Sequence, residues 1–296
     1  MATTVNKEFW LPLIEENFYS NWGLLTQLAK DDSVYVDNKK IHIPNAGEPN
    51  AVLVNNTSYP VTVEGRTDAV HSITMDSYQV PPVRLGHFDT ASLSYDKASS
   101  IANDFIGQIG EVIMYNAFVK WYVGDDNLVS TTGSVEAVPG IGNRKKIKVE
   151  DVKNCALALD LQNAPDSNRT LLLPAQMFYQ LNEAIKDNVH IVEQDGLQMF
   201  DRSYFGFKVV KMPKVYYAAA NGSVVRAVGH TLTAGDTMGG YAYVKDAVTV
   251  GKSPVNMYTS ESRPEYYGDI MSAESWAGAS YRREDKKFVI PIIAAS

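Results

Sequence analysis

Residues 33–90 constrain this chain more than any other stretch, because they read as strands that cannot bury themselves. Val34 and Val36, Ile41 and Ile43, Val61 and Val63, and Ile73 and Met75 alternate with polar neighbours, the period-two pattern of strands with one apolar face. Turn signals interrupt the run at Pro44-Asn45-Ala46-Gly47, Asn55-Asn56-Thr57-Ser58, Glu64-Gly65 and Pro81-Pro82. Few large apolar residues lie between those turns, and a lone two-stranded hairpin is marginal in water. The stretch predicts a projecting β-hairpin that needs a partner surface.

The next stretch has the opposite character. Asp96 is placed to cap a helix over 96–123, with Ala98, Ile101, Ala102, Phe105, Ile109, Val112 and Ile113 on one side. Phe118, Trp121 and Tyr122 extend that apolar surface. Such a helix spans roughly 40 Å, and Gly107 and Gly110 each cost it about 1 kcal/mol against Ala, so tertiary packing must support it. Upstream, Phe9, Leu13, Ile14, Phe18, Trp22, Leu25 and Leu28 recur at helical spacing, with a break at Asn21 and Gly23. Downstream come a polar break over 124–148, a helix at 149–163, a strand at Arg169–Leu173 and a helix at Pro174–Lys186. Strands are expected near Phe207–Lys211, Val224–Gly229, Tyr241–Val244, Ala247–Val250 and Phe288–Ile293.

Composition narrows the function classes. In 296 residues, hydrophobic types make up 45% and charged types 21%, which fits an ordered α+β chain. A formal net charge of −7 argues against tight nucleic-acid binding. The single cysteine, Cys155, sits in an apolar helical run and reads as a buried structural thiol. Neither a secretion signal nor an apolar run long enough for a membrane span is visible.

Catalytic patterns are missing: there is no His-Glu-x-x-His, no Gly-x-Ser-x-Gly, and His42, His71, His87, His190 and His230 are scattered. The expectation is therefore no enzyme activity, no cofactor and no metal. Gly140–Lys146 lacks the ending of a phosphate loop and reads as a solvated loop. Its cluster Arg144, Lys145, Lys146 and Lys148 is available to DNA or to an acidic neighbour. The acidic pairs Glu15-Glu16, Asp31-Asp32 and Asp125-Asp126 read as solvated helix ends.

The order of elements is an N-terminal helix, a long hairpin excursion, one long helix, a polar break, an α+β body and terminal strands. That order resembles the HK97-type fold of tailed-bacteriophage major capsid proteins. Local stretches carry the resemblance too: Trp10–Asn17 followed by Asp31–Val36, Ile41–Gly47, Pro60–Val63, Arg66–Asp68, Leu93–Lys97, Leu171–Leu181 and Gly206–Val209. The resemblance implies an N-terminal arm (1–32), E-loop and peripheral strands (33–92), and a spine helix with its following loop (93–148). It further implies an axial domain (149–240) and C-terminal strands returning to the peripheral domain (241–296).

Function under this resemblance is self-assembly through pentamers and hexamers into an icosahedral shell enclosing double-stranded DNA, contacted weakly and non-specifically. Assembly would occur in the bacterial host cytoplasm, and the product would be the virion capsid. Phe9, Trp10, Phe18, Ile43, Val54, Tyr59, Val61, Arg66 and Tyr78 are the expected assembly contacts of the arm and E-loop. Because the first helix starts within ten residues of Met1, a separate scaffolding protein is expected, with portal and decoration proteins as further partners. Lys39 and Lys40 lie at the hairpin base, away from its tip, and give no support to covalent crosslinking. The rival readings are an encapsulin-type nanocompartment shell, a hydrolase or ligand-binding protein with a site assembled from scattered residues, and a tail or decoration protein.

Overall fold

A computed structural model of the chain describes residues 22–47, 51–63, 65–86, 97–124, 127–185 and 189–296. A helical turn α1 (Leu25–Leu28) leads to β1 (Lys30–Asp31), β2 (Val36–Asp37), β3 (Lys40–Asn45), β4 (Ala69–Thr74) and β5 (Asp76–Gly86). The long helix α2 (Lys97–Lys120) follows, then β6 (Val129–Ser130), β7 (Val135–Val138), β8 (Gly142–Lys145) and helix α3 (Val149–Leu161). Next come β9 (Arg169–Pro174), helix α4 (Ala175–Ile185), β10 (Ile191–Gln194), β11 (Leu197–Phe200), β12 (Lys208–Met212) and β13 (Tyr216–Ala219). The chain closes with β14 (Asp236–Val244), β15 (Val248–Lys252), β16 (Asn256–Arg263), β17 (Gly268–Tyr281) and β18 (Val289–Ile293).

Two compact units interleave in sequence. The described residues of the first are 22–23, 76–86, 97–114 and 252–277. Within it β17 pairs antiparallel with β16 on one side and β5 on the other. Glu274 ties the three strands, accepting from Gln79 Nε2 at 3.2 Å and Tyr258 Oη at 3.3 Å. The register slips where Val80–Val83 faces Met271–Ala273. Pro81 and Pro82 have no N–H for a ladder, so β5 bulges there; the turn that Pro81-Pro82 had predicted is absent, and the strand runs through. In the first part of α2, Phe105, Ile109 and Ile113 are buried one turn apart, whereas Val112 is exposed and not on the packed face.

The second unit takes 24–75, 115–251 and 278–296. Its main sheet has eight strands in the order β10-β11-β12-β9-β14-β18-β6, with β13 also on β14. Strands β9, β14 and β18 are buried along their whole length, and their apolar stretches Leu171–Leu173, Tyr241–Val244 and Val289–Ile293 are the parts legible as strand. Helix α4 packs on β9 and β12 through Met177, Phe178, Leu181 and Ile185, spaced on one helical face. Helix α3 packs on β6, β14 and β18. It carries Cys155 fully buried, and burial, with the Asp151 carboxylate, pushes that thiol up to about 12, so it is an inert packing group.

An aromatic cluster fills the centre of this unit. Trp121 meets Phe118 edge-on at 5.2 Å and lies 5.7 Å from Tyr243, while Tyr216 and Tyr241 are 4.7 Å apart. Every buried polar tip finds a carbonyl: Tyr216 Oη donates to Ile292 at 3.0 Å, Tyr241 to Phe118 at 2.7 Å and Tyr243 to Leu28 at 2.9 Å. Trp121 Nε1 donates to Thr249 at 3.3 Å. Gly239 leaves the space that the Tyr216 ring occupies, so no side chain fits there.

A second buried anchor is Asp236, at the start of β14. Its carboxylate accepts from Arg226 Nε, His230 Nε2, and the Thr233 N–H and hydroxyl, while its carbonyl accepts from Arg144 Nε and Nη2. Burial by itself would raise its pKa. The hydrogen bonds from His230, Thr233 and Arg226 outweigh that and hold it well below the ordinary carboxylate range.

Several expectations are corrected. Val61 and Val63 lie in a segment without strand pairing, and Val34 sits in a 3₁₀ turn. Val224–Gly229 is a loop with one isolated bridge, Ala218 to Val225, pinned instead by Arg226 and His230 to Asp236. Gly140–Lys146 is no solvated loop but the turn and second strand of the β7–β8 hairpin. Arg144 is buried there on the carbonyls of Asn143, Ala234 and Asp236, out of reach of DNA. Asp32 is likewise buried, taking bonds from Thr249 Oγ1 at 2.6 Å and Arg282 Nε at 3.1 Å. Glu15-Glu16 and Asp125-Asp126 lie outside the described residues.

Trp121→Ala removes the largest buried ring and its hydrogen bond to the Thr249 carbonyl. It is expected to cost about 3–5 kcal/mol in equilibrium urea unfolding, a typical loss for an aromatic-to-alanine core change. The Asp236 contribution has a fixed sign with pH. Its folded pKa lies below the unfolded one, so its stabilisation is complete above the unfolded value and is lost as pH falls through the folded one. Asp236→Asn is therefore expected to unfold more easily at neutral pH and to show a shallower loss of stability below about pH 4, read from thermal midpoints across pH.

Candidate assembly surface

The hairpin excursion is built on a small sheet of β2, β3 and β4. Strands β2 and β3 are joined by Asn38-Lys39, both at positive φ (45° and 62°), the mirror-image turn whose twist suits an antiparallel pair. Strands β3 and β4 pair from Lys40↔Thr74 to Asn45↔Ala69. Their alternation puts Ile41, Ile43 and Ile73 on one face, where they bury against one another with Val36 alongside. Ile41 also presses on Gly251, a position with no room for a Cβ.

Beyond the last paired residues a polar neck closes the excursion. The Gly47 N–H donates to Asp68 Oδ1 at 2.9 Å, and Arg66 grips the same carboxylate through Nε at 2.6 Å and Nη2 at 3.0 Å. The bonds from Arg66, then Gly47, hold the Asp68 carboxyl below its ordinary pKa. Gly47 lies against the Thr67 carbonyl so closely that any side chain would collide with it.

Residues 51–63 follow within this neck and belong to no helix or strand. They contain no charged residue. Their large apolar side chains face outward: Val54 is 81% exposed, Tyr59 78%, Val61 44% and Val63 96%, with Val52 and Leu53 also exposed. Local polar bonds shape the backbone, as where the Ser58 N–H donates to Asn56 Oδ1 at 3.1 Å and Asn56 Nδ2 returns to the Ser58 carbonyl at 2.9 Å. Soluble chains rarely leave contiguous apolar surface of this kind uncovered, and where they do it marks an interaction site.

The residues expected at an assembly contact are distributed unevenly. Val54, Tyr59 and Val61 stand exposed on the neutral segment, and Arg66 forms its neck. Ile43 is buried in the hairpin base and offers no open surface. Tyr78 is half-buried on β5 in the other unit, opposite Ser275. Phe9, Trp10 and Phe18 lie outside the described residues. Val52, Leu53 and Val63 are exposed too but were not among the expected contacts, and Val63 had been read as a strand residue. The signal that finds them is the absence of charge from 51 to 63. In the first unit Tyr258, Tyr266 and Tyr267 on and between β16 and β17 are exposed as well.

Among the described residues no group of three or more His, Cys, Asp or Glu is placed to hold a metal ion, and no helix is long and apolar enough to cross a membrane. No protein-family model and no curated protein matches the sequence. Solved structures do match. The capsid of cyanophage Pam1 superposes with a TM-score of 0.66 at 12% identity, over 100% of this chain and 98% of that one. The capsid of Ralstonia phage GP4 gives 0.65 at 8% identity, over 99% and 96%. The capsid of cyanophage P-SCSP1u gives 0.61 at 16% identity, over 100% and 93%. Similarity that spans both partners nearly end to end is similarity of the whole architecture: this chain has the HK97-type α+β fold of the phage capsid structures.

Proposed function

We propose that this chain is the major capsid protein of a tailed bacteriophage. It is a structural subunit, with no catalytic role, that assembles through pentamers and hexamers into an icosahedral shell around double-stranded DNA. The observation that carries the reading is the neutral apolar segment 51–63, held outward on a braced hairpin, in a fold shared with phage capsids. Burying one such Val or Leu side chain stabilises a contact by about 1.5–3 kcal/mol. Several per subunit suffice for an interface of ordinary size once association entropy is met.

In this reading residues 33–92 are the E-loop and peripheral strands, 93–148 the spine helix and its loop, 149–240 the axial domain, and 1–32 and 241–296 the arm and returning strands. The E-loop of each copy lies on an adjacent copy, and repetition of the same heterologous contact closes the shell. Other copies of the chain are the main partner. Scaffolding, portal and decoration proteins, with loosely held DNA, complete the set. Assembly takes place in the host cytoplasm, and the virion capsid is the destination.

Val54→Asp and Val61→Asp place charge on side chains that are exposed and belong to no helix or strand. Both variants are expected to unfold within about 0.5 kcal/mol of the parent, as exposed substitutions do, yet to form no closed particles. Negative-stain microscopy of the parent chain, alone and with its neighbouring gene products, is the direct check. Closed shells or capsomer rings agree with the reading. A compact monomer under every condition rejects it, and shells that carry a cargo protein and no nucleic acid point to a nanocompartment.

A further inference from the structure

The neutral segment forms no strand pairing, so the direction in which it projects is inherited from the base of its hairpin. That base is held from one side by chain remote in sequence, the end of β17 and the residue after it. His71, opposite Ile43 in the β3–β4 ladder, stacks on Tyr281 with ring centroids 5.2 Å apart and planes 22° from parallel. Asn45 Nδ2, at the last paired position before the neck, donates to the Arg282 carbonyl at 3.2 Å. Arg282 is itself fixed, its N–H on the Ala247 carbonyl at 2.8 Å and its Nε on the buried Asp32 carboxylate at 3.1 Å. Lys286 places its ammonium 5.9 Å from the Tyr281 ring centroid. Gly278 lets β17 pass close to Met75, at the end of β4, where an added Cβ would stand only 3.3 Å from Met75 Cγ.

We infer that His71 and Tyr281, with Asn45 on the Arg282 carbonyl, form a clamp that sets the angle of the hairpin and so positions residues 51–63 for the next subunit. The inference rests on the assembly reading above. Ring stacking is the operative contact of His71: its face lies on Tyr281 in the near-parallel geometry that aromatic pairs adopt, and among the described residues its buried Nε2 meets no hydrogen-bond partner. His71→Phe keeps that ring face. His71 and Tyr281 act through the hairpin and are positioning residues; the contact with the neighbouring copy belongs to 51–63.

The test compares full-length His71→Ala, Tyr281→Ala and Asn45→Ala with His71→Phe and Tyr281→Phe. Hydrogen exchange in the unassembled chain is read first. The alanine variants at 71 and 281 are expected to exchange β3 and β4 amides about tenfold faster, with β9 and β14 unchanged, while both phenylalanine variants match the parent. Particle formation is then followed by light scattering and microscopy. Alanine variants are expected to give few uniform shells, Asn45→Ala an intermediate yield, and phenylalanine variants the parental yield. Parental exchange in Tyr281→Ala, or His71→Phe behaving like His71→Ala, overturns the clamp. A parent chain that never assembles overturns the assembly reading and with it the positioning role, while the exchange comparison still decides whether the clamp exists.

Discussion

Three buried phenols and one indole, each obliged to find an acceptor, determine how the second unit is wired. A buried hydroxyl without a partner costs roughly 1–3 kcal/mol, so these rings tolerate few arrangements. Tyr216, Tyr241, Tyr243 and Trp121 meet the carbonyls of Ile292, Phe118, Leu28 and Thr249, partners 76 to 215 residues away in sequence. The first segment after residue 21, the end of the long helix, β15 and the last strand are thereby all fixed to the rings of β13, β14 and Trp121. Burial pushes the three phenols' pKa values up, so they stay neutral donors at any physiological pH. Register follows from the same constraint, because Gly239 is where β14 yields space to Tyr216.

That saturated interior is the reason the hairpin can stay unsaturated. The β2–β3–β4 sheet buries only three isoleucines with Val36 beside them, too little to stabilise a sheet on its own. It borrows rigidity from its neighbours instead: Ile41 against Gly251, Met75 beside Gly278, and Tyr281 over His71. All three supports belong to strands held in the core or running from it. The cost of ordering the excursion is thus met inside the chain, and the apolar side chains of 51–63 keep their burial energy for the contact between copies proposed above. A segment ordered before it binds loses less entropy on binding.

Elements whose burial is local were legible in the sequence. The 3.6-residue period of Phe105, Ile109 and Ile113 gave the long helix to within a few residues of Lys120, and Arg169–Leu173 followed by an amphipathic helix appeared almost as read. Contacts made at long range were not. Arg144 looked like one member of a basic cluster, since spacing cannot reveal that carbonyls of a segment some ninety residues later would receive its guanidinium. Val224–Gly229 alternates like a strand, but most of it has no strand to pair with, and Asp236 holds it by charge. The assembly surface divides in the same way. Turn residues mark Val54 and Tyr59 as lying outside a sheet, whereas Val61 alternates with Val63 like a strand and only the fold shows both unpaired and exposed. Ile43 sits in an equally apolar strand, and only the fold shows that Ile41 and Ile73 cover it.

An exposed apolar segment carries an aggregation hazard, and the sequence of 51–63 limits it without using charge. Unpaired strands with continuous apolar faces template further strands. Here Asn55 at positive φ and the polar turn through Asn56 and Ser58 bend the backbone between Val54 and Tyr59, and Pro60 withholds an N–H. No stretch is then long enough to extend a ladder. Charged gatekeepers would serve the same end, but each would have to be desolvated in the contact between copies. Turn chemistry blocks the wrong association and leaves the right one dry. The segment thus offers its side chains rather than its backbone, which is what the proposed contact, repeated between many identical copies, requires.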